Sequence, residues 1–267
     1  MRVYLSVLKL RLNIGMQYRT AALAGVVTQF FWGFITIMVF EAFYEFAMKT
    51  PPISLKELIT YIWLQQAFLV FVTIWFRDNE LFDLITSGNI AYELCRPCEL
   101  YGYWYAKLLA QRLSSALLRC FPILIVSFFL PRPYNMTLPP SPTDFLLFLS
   151  ALLLGLLLLV AISMFLYISV FVTLSPMGSL LIFGVLGEFF AGLIIPVPLM
   201  PDWLQKIANV LPFRWTADFP FRVYSGHIPL HDAIIGIIIQ LIYLAGLVLL
   251  GRTALNGVLK KAVVQGG

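Results

Sequence analysis

Thirty consecutive residues, 145–174, carry no charged side chain, and three further uncharged apolar runs lie at 21–40, 58–76 and 233–251. Each is near the length of about 20 residues that a helix needs to cross a hydrocarbon core. In that medium every backbone N–H and C=O must find its partner within the segment, so the runs predict helices, and a chain with several is a polytopic all-α membrane protein. Two less uniform stretches complete the set: 113–130, which carries Arg119, and 177–199, which carries Glu188. Six transmembrane helices are expected. With 61% hydrophobic and 12% charged residues, the chain lies outside the range of soluble domains. Its 267 residues read as a single transmembrane domain, 1–267, with no space for an independent soluble domain. Chemistry that needs such a domain is expected from a partner.

An even number of crossings puts both termini on one side, and the positive-inside rule chooses that side. With the termini inside, the inner set is Arg2, Lys9, Arg11, Arg19, Arg77, Arg96, Lys107, Arg112, Arg119, Arg252, Lys260 and Lys261, twelve of the eighteen basic residues. The outer set is Lys49, Lys56, Arg132, Lys206, Arg214 and Arg222. Both termini are expected in the cytosol. The net charge of +5 reads as membrane orientation, since no basic stripe interleaved with aromatics points to nucleic acid. Cys95, Cys98 and Cys120 fall on or near the inner side, so no disulfide framework is implied. Cys95-Arg96-Pro97-Cys98 has the C-x-x-C spacing without a second pair or a βαβ context, which argues against zinc or redox chemistry.

Lys9 and Arg11 interrupt any signal-peptide core at the start of the chain. Arg2, Ser6, Lys9, Asn13, Gln17 and Thr20 fall on one face of a 3.6-residue helix, which predicts an interfacial helix over 1–20 on the cytosolic leaflet. A plain cytosolic extension of the first span is the other reading. Ser175-Pro176 supplies an N-cap and a first-turn proline, so the fifth span is expected to start at once after the fourth. Five prolines in residues 131–144 predict an irregular, stiff outer loop.

The fifth apolar run meets Gly192 and then Pro196, Pro198 and Pro201, three prolines in six residues. Each lacks an N–H and restricts the residue before it, so the helix must break. Trp203, Leu204, Ile207, Ala208 and Val210 then oppose Gln205, Lys206 and Asn209 in a short amphipathic piece ended by Leu211-Pro212-Phe213. A broken span leading to such a piece suggests a re-entrant segment over 192–215 that closes a pathway.

The longest inner segment, 77–106, alternates Asp78, Glu80 and Asp83 with Leu81, Phe82, Leu84 and Ile85 before a helix stop at Ser87-Gly88. A short helix with an acidic first turn and an apolar ridge suits insertion into a groove of another protein. A helix resting on the membrane is the alternative, which acidic residues against an anionic leaflet disfavour.

Three stretches in this order carry a family resemblance: the amphipathic start with Gln17-Tyr18-Arg19; residues 85–97, Ile85-Thr86-Ser87-Gly88-Asn89-Ile90-Ala91-Tyr92-Glu93-Leu94-Cys95-Arg96-Pro97; and Ile195-Pro196 through Pro201-Asp202-Trp203-Leu204 to Leu211-Pro212-Phe213. The chain resembles the six-span permease subunits of bacterial ABC exporters of the ABC-2 type. The resemblance implies a multi-pass subunit of the bacterial cytoplasmic membrane that moves a lipophilic or amphipathic substrate by alternating access. It implies that Asp78, Glu80, Leu81, Phe82, Asp83, Leu84 and Ile85 form the coupling helix against a cytosolic ATP-binding subunit. Pro196, Pro198, Pro201, Trp203 and Pro212 would belong to the outer gate. The sequence has no G-x-x-x-x-G-K-[ST] phosphate loop, so no cofactor is expected in this chain, and ATP and magnesium would be bound by the partner. A second permease would complete the assembly, a related chain being favoured over a second copy, with membrane lipids around it.

Glu188 is the sharpest single candidate, since an ionised carboxylate at mid-span must be paired, hydrated or protonated. It is expected on the substrate pathway with Phe189, Gln65 and Gln66; the competing reading is a place near the outer water boundary beside the broken helix, or a structural pairing with a basic residue such as Arg214 or Arg222. Gln65, Gln66 and Gln240 also suit cross-linking of helices. His227 and His231 are separated by Pro229, which spoils a helical metal pair, and no catalytic constellation is present. A membrane-embedded sensor or scaffold, or an intramembrane enzyme without an ATPase partner, remains the alternative class.

Overall fold

The computed structural model describes residues 2–15, 19–48 and 50–260; Gln17, Tyr18, Lys49 and Lys261, invoked above, lie outside them. Among the described residues every regular element is helical. Helix starts follow local chemistry. At α3 (Leu55–Ala67) the Ser54 hydroxyl accepts from Glu57 N–H at 3.3 Å while the Glu57 carboxylate accepts from Ser54 N–H at 2.8 Å, a reciprocal capping box. Ser141 caps α8 (Pro142–Thr173) by accepting from Asp144 N–H at 3.1 Å. Ser175 caps α9 (Pro176–Phe190) in the same way, and Leu174 at φ 51° makes the reversal between the two helices. The expected tight hairpin is therefore present.

Four helices are long and apolar enough to cross a membrane: α2 (Arg19–Glu45), α7 (Leu100–Phe129), α8 and α12 (Leu230–Leu259). The chain is thus a multi-pass helical membrane protein. Helix α8 forms the centre, with 56% of its most apolar window buried against 17% for α12 and 22% for α2. Its sequence is apolar on every side, as a helix surrounded by others requires.

The uncharged run 58–76 is not one helix. It divides into α3 and the single turn α4 (Leu69–Val72), with Phe68 at φ −105° and ψ 21° between them, extended backbone at Thr73 and a turn at 74–75. No proline or glycine causes this break; Arg112 of α7 stabilises it, as described below. Helix α7 also starts well before the predicted span at 113, because residues 100–112 continue the helical ladder without a breaker. Two short helices, α5 (Asn79–Thr86) and α6 (Ile90–Leu94), join α4 to α7, and α1 (Arg2–Gly15) packs along α7.

The bundle has two distinguishable ends. At one, Glu99 before α7 pairs with Arg252 of α12 at 3.2 Å, and Leu5 of α1 lines the same cleft. At the other, the proline loop is fixed by Trp63, whose ring N–H donates to Tyr134 O at 2.8 Å, and by a hydroxyl contact of 3.0 Å between Thr60 and Thr137. Here the chain also carries α10 (Asp202–Val210) and α11 (Asp218–Tyr224). Small residues let this unit approach. A Cβ on Gly155 of α8 would lie 2.8 Å from Thr216 O, and one on Gly236 of α12 would lie 2.2 Å from the Phe219 ring. Among the described residues Gly246 has nothing within 4 Å and mediates no close helix contact.

Candidate functional site

Among the described residues two polar constellations interrupt the apolar interior, one where α4 ends and one around Gly192. Where α4 gives way to extended backbone, three carbonyls lose their helical donors. The Arg112 guanidinium, buried on α7, donates to Val70 O at 2.8 Å, Thr73 O at 2.7 Å and Phe76 O at 2.8 Å. A fork of fixed donors meets a diverging chain, which a lysine does less well. The Thr73 hydroxyl donates to Glu188 at 2.5 Å, so the carboxylate of α9 is tied to the same joint. Glu188 is half-buried, and the hydroxyl of Thr73 rather than Arg214 or Arg222 holds it.

Below this joint, Asp78 accepts from Glu80 N–H at 3.0 Å and so caps α5. Its backbone N–H donates to the Tyr167 hydroxyl at 2.8 Å, and Lys107 reaches its carboxylate at 3.3 Å and that of Glu80 at 2.8 Å. The ridge predicted for a partner faces inward instead. Leu81, Phe82 and Ile85 are buried against α8, with the Phe82 and Tyr167 rings 4.7 Å apart. Asp83 is exposed and Leu84 half-buried, and on α6 Tyr92 and Leu94 stand out at 75% and 46% exposure. The physical reason is volume: α5 sits against the lower half of α8, whose apolar surface its ridge covers.

At the opposite end α9 stops at Phe190, and Gly192 turns the chain at φ 79°. A Cβ there would lie 2.8 Å from the Tyr61 hydroxyl and 3.1 Å from Asp218 Cβ, so both the conformation and the space call for glycine. Tyr61 donates to Gly192 O at 2.9 Å, and Gln65 donates to Leu193 O at 2.7 Å. Asp218 is fully buried; its carboxylate accepts from Val197 N–H at 3.2 Å and from Arg222 at 3.2 Å. Pro196 precedes a 3-10 turn, Val197–Leu199, that contains Pro198; Pro201 precedes α10, and Pro212 follows it. Trp203 is 64% exposed on the amphipathic face of α10, which matches the expected short piece.

Of the residues assigned above to a pathway, Gln65 and Glu188 meet the same turn. Leu193 receives the Gln65 donor on its carbonyl and gives its own N–H to Glu188 O at 3.0 Å. Phe189 is half-buried against Phe190, and Gln66 is buried where α3 meets Gly33 of α2. Among the described residues no group of three or more potential metal ligands occurs. His227 lies 3.9 Å from Glu57, while His231 contacts Asp232, so the two histidines are not a pair. Burial, then Arg222, push the His227 pKa below its usual value.

Arg112, Asp218 and Tyr61 escaped the reading of the sequence as functional positions. A signal was available for the first two: Arg112 stands in a stretch that proves to be helical, and Asp218 and Arg222 have i,i+4 spacing in an otherwise apolar heptamer. Compared with family models, with characterised proteins and with solved structures, the chain matches none.

Proposed function

We propose that the chain is the membrane subunit of an ATP-driven exporter of the ABC-2 type, with six crossings, in which α3–α4 and α9 complete the four long helices. In this reading α5 and α6 lie on the cytosolic side, the Gly192–Pro212 unit forms the outer gate, and a separate polypeptide binds ATP and magnesium. The chain works with a second, related permease and moves a lipophilic or amphipathic substrate.

The observation that supports the reading best is the continuity between the two ends. Helix α5 is capped by Asp78; the segment leading into it, from Thr73, is bonded through Thr73 to Glu188 of α9; and α9 runs into the Gly192 turn. A displacement of α5 by an ATP-binding subunit would thus reach the outer unit through two short segments as rigid-body rocking. Purification of the full chain from its own host in mild detergent, followed by subunit analysis, tests the proposal. The expected result is a stoichiometric ATP-binding protein and a second permease; an intact complex without any ATPase would overturn it.

A further inference from the structure

An apolar groove of about 840 Å³ runs between α3–α4, α7 and α8, from Phe71 and Leu113 at depth to Phe128 and Pro142 at the proline-loop end. Its size falls within the range of about 300–1,000 Å³ typical of small-molecule sites. At its loop end it shares Phe128, Met136 and Leu138 with a second cavity of about 660 Å³, lined by Lys56, Arg132 and Asn135. No carboxylate lines either cavity. The carboxylates of the flanking segments are engaged elsewhere: Glu57 by Ser54, Glu41 by Tyr134 and Asp144 by Ser141. The result is a pair of adjoining cavities, one with a cationic lining and one with an apolar lining.

The cationic mouth sits where α3 begins at Leu55 and α7 ends at Phe129, the level at which a long membrane helix meets the headgroups. Its roof is fixed. Met136 N–H donates to Ser127 O at 2.9 Å, Thr137 N–H to the Thr60 hydroxyl at 3.2 Å, and Pro140 fits against Gly226, where a Cβ would lie 2.5 Å from its ring. A cavity held open by its own loop requires little ordering when a ligand enters. Any lipid tail can fill an apolar groove in a membrane. The two cations at its mouth select among headgroups.

We propose that this composite cavity binds one anionic phospholipid, with the phosphate at the Lys56 and Arg132 mouth and an acyl chain in the groove between α7 and α8. The inference goes beyond transport and does not depend on an ATPase partner.

Native mass spectrometry of the detergent-solubilised full chain tests it, with separate titrations of phosphatidylglycerol and phosphatidylcholine of matched acyl chains, and with sodium phosphate as competitor. One phosphatidylglycerol should be retained about 25-fold more tightly than phosphatidylcholine, and phosphate should not displace it. Each cation near a lipid phosphate contributes on the order of a fivefold preference. The Lys56→Gln/Arg132→Gln variant, altered at two exposed positions, should therefore lower phosphatidylglycerol retention to the level of phosphatidylcholine. Leu117→Trp, at a partly exposed position lining the groove, should weaken both lipids. Equal retention of the two lipids by the unaltered chain, full retention by the double variant, or displacement by inorganic phosphate would each overturn the proposal. Since Lys56 and Arg132 are at the surface, the double variant keeps the test decisive even if Leu117→Trp does not fold.

Discussion

Between Val70 and Phe76 the uncharged run leaves its helical ladder, and an unbonded carbonyl in an apolar interior costs roughly 1–3 kcal/mol. Arg112 serves three of them at once. Arg112→Met should therefore destabilise the chain by at least about 2 kcal/mol, with Arg112→Lys falling between, because an ammonium has donors but no planar fork. Chemical denaturation in detergent, followed by tryptophan fluorescence, measures both. Glu188 allows a cleaner separation of charge from structure. A glutamine keeps an oxygen to accept from Thr73 and loses only the negative charge. If Glu188 acts on the pathway, Glu188→Gln lowers substrate-stimulated ATPase activity of the assembled complex while its subunit ratio stays unchanged; equal activity assigns Glu188 to the joint alone.

Helix α5 shows how far a pattern reaches and where it stops. Its existence, its acidic cap at Asp78 and its stop at Ser87-Gly88 were legible, because caps and stops are local chemistry. The direction of its apolar ridge was not. Periodicity says that Leu81, Phe82 and Ile85 share a face, but a partner's groove and the flank of α8 are equally apolar coverings. The run 58–76 was misread for a related reason: an uncharged stretch of adequate length gives no sign of a break that Arg112, far away in sequence, stabilises. Two outcomes follow for α5. Phe82→Ala removes a buried ring packed at a tilt against Tyr167 and should cost about 3–5 kcal/mol of stability, seen as a lowered unfolding midpoint of the isolated chain. Asp83→Lys, on the exposed side, should leave that midpoint unchanged and weaken co-purification of an ATP-binding subunit. A partner unaffected by Asp83→Lys and by changes at Tyr92 would show that this surface is not the docking site.

At the scale of the whole molecule, the contacts that tie each end together constrain how the chain threads a bilayer. Tyr44 donates to Ile53 O at 2.7 Å and Thr60 contacts Thr137, so the end of α2, the start of α3 and the α7–α8 loop share one end. Gln111 donates to Arg77 O at 3.4 Å and Arg252 pairs with Glu99, so the α5–α6 segment, the start of α7 and the end of α12 share the other. In the proposed six-span arrangement, α3 and α4 carry the chain from the first end to the second, although their 13 and 4 residues each fall short of a membrane span. The same reasoning sends the 15 residues of α9 back, because α8 ends beside α5 while Gly192 meets Tyr61. Helices too short to cross alone are tolerated where neighbouring side chains bond their freed ends, as Arg112 and Gln65 do. Single cysteines introduced after replacing Cys95, Cys98 and Cys120 by serine would read this threading in intact cells. Leu138→Cys and Trp203→Cys, both exposed at the proline-loop end, should react with an impermeant maleimide, and Tyr92→Cys only after permeabilisation. Opposite sidedness for Leu138 and Trp203 would remove the crossing by α9. Equal labelling of Tyr92 and Leu138 in intact cells would remove the crossing by α7, and with it the six-span arrangement on which coupling across the membrane depends.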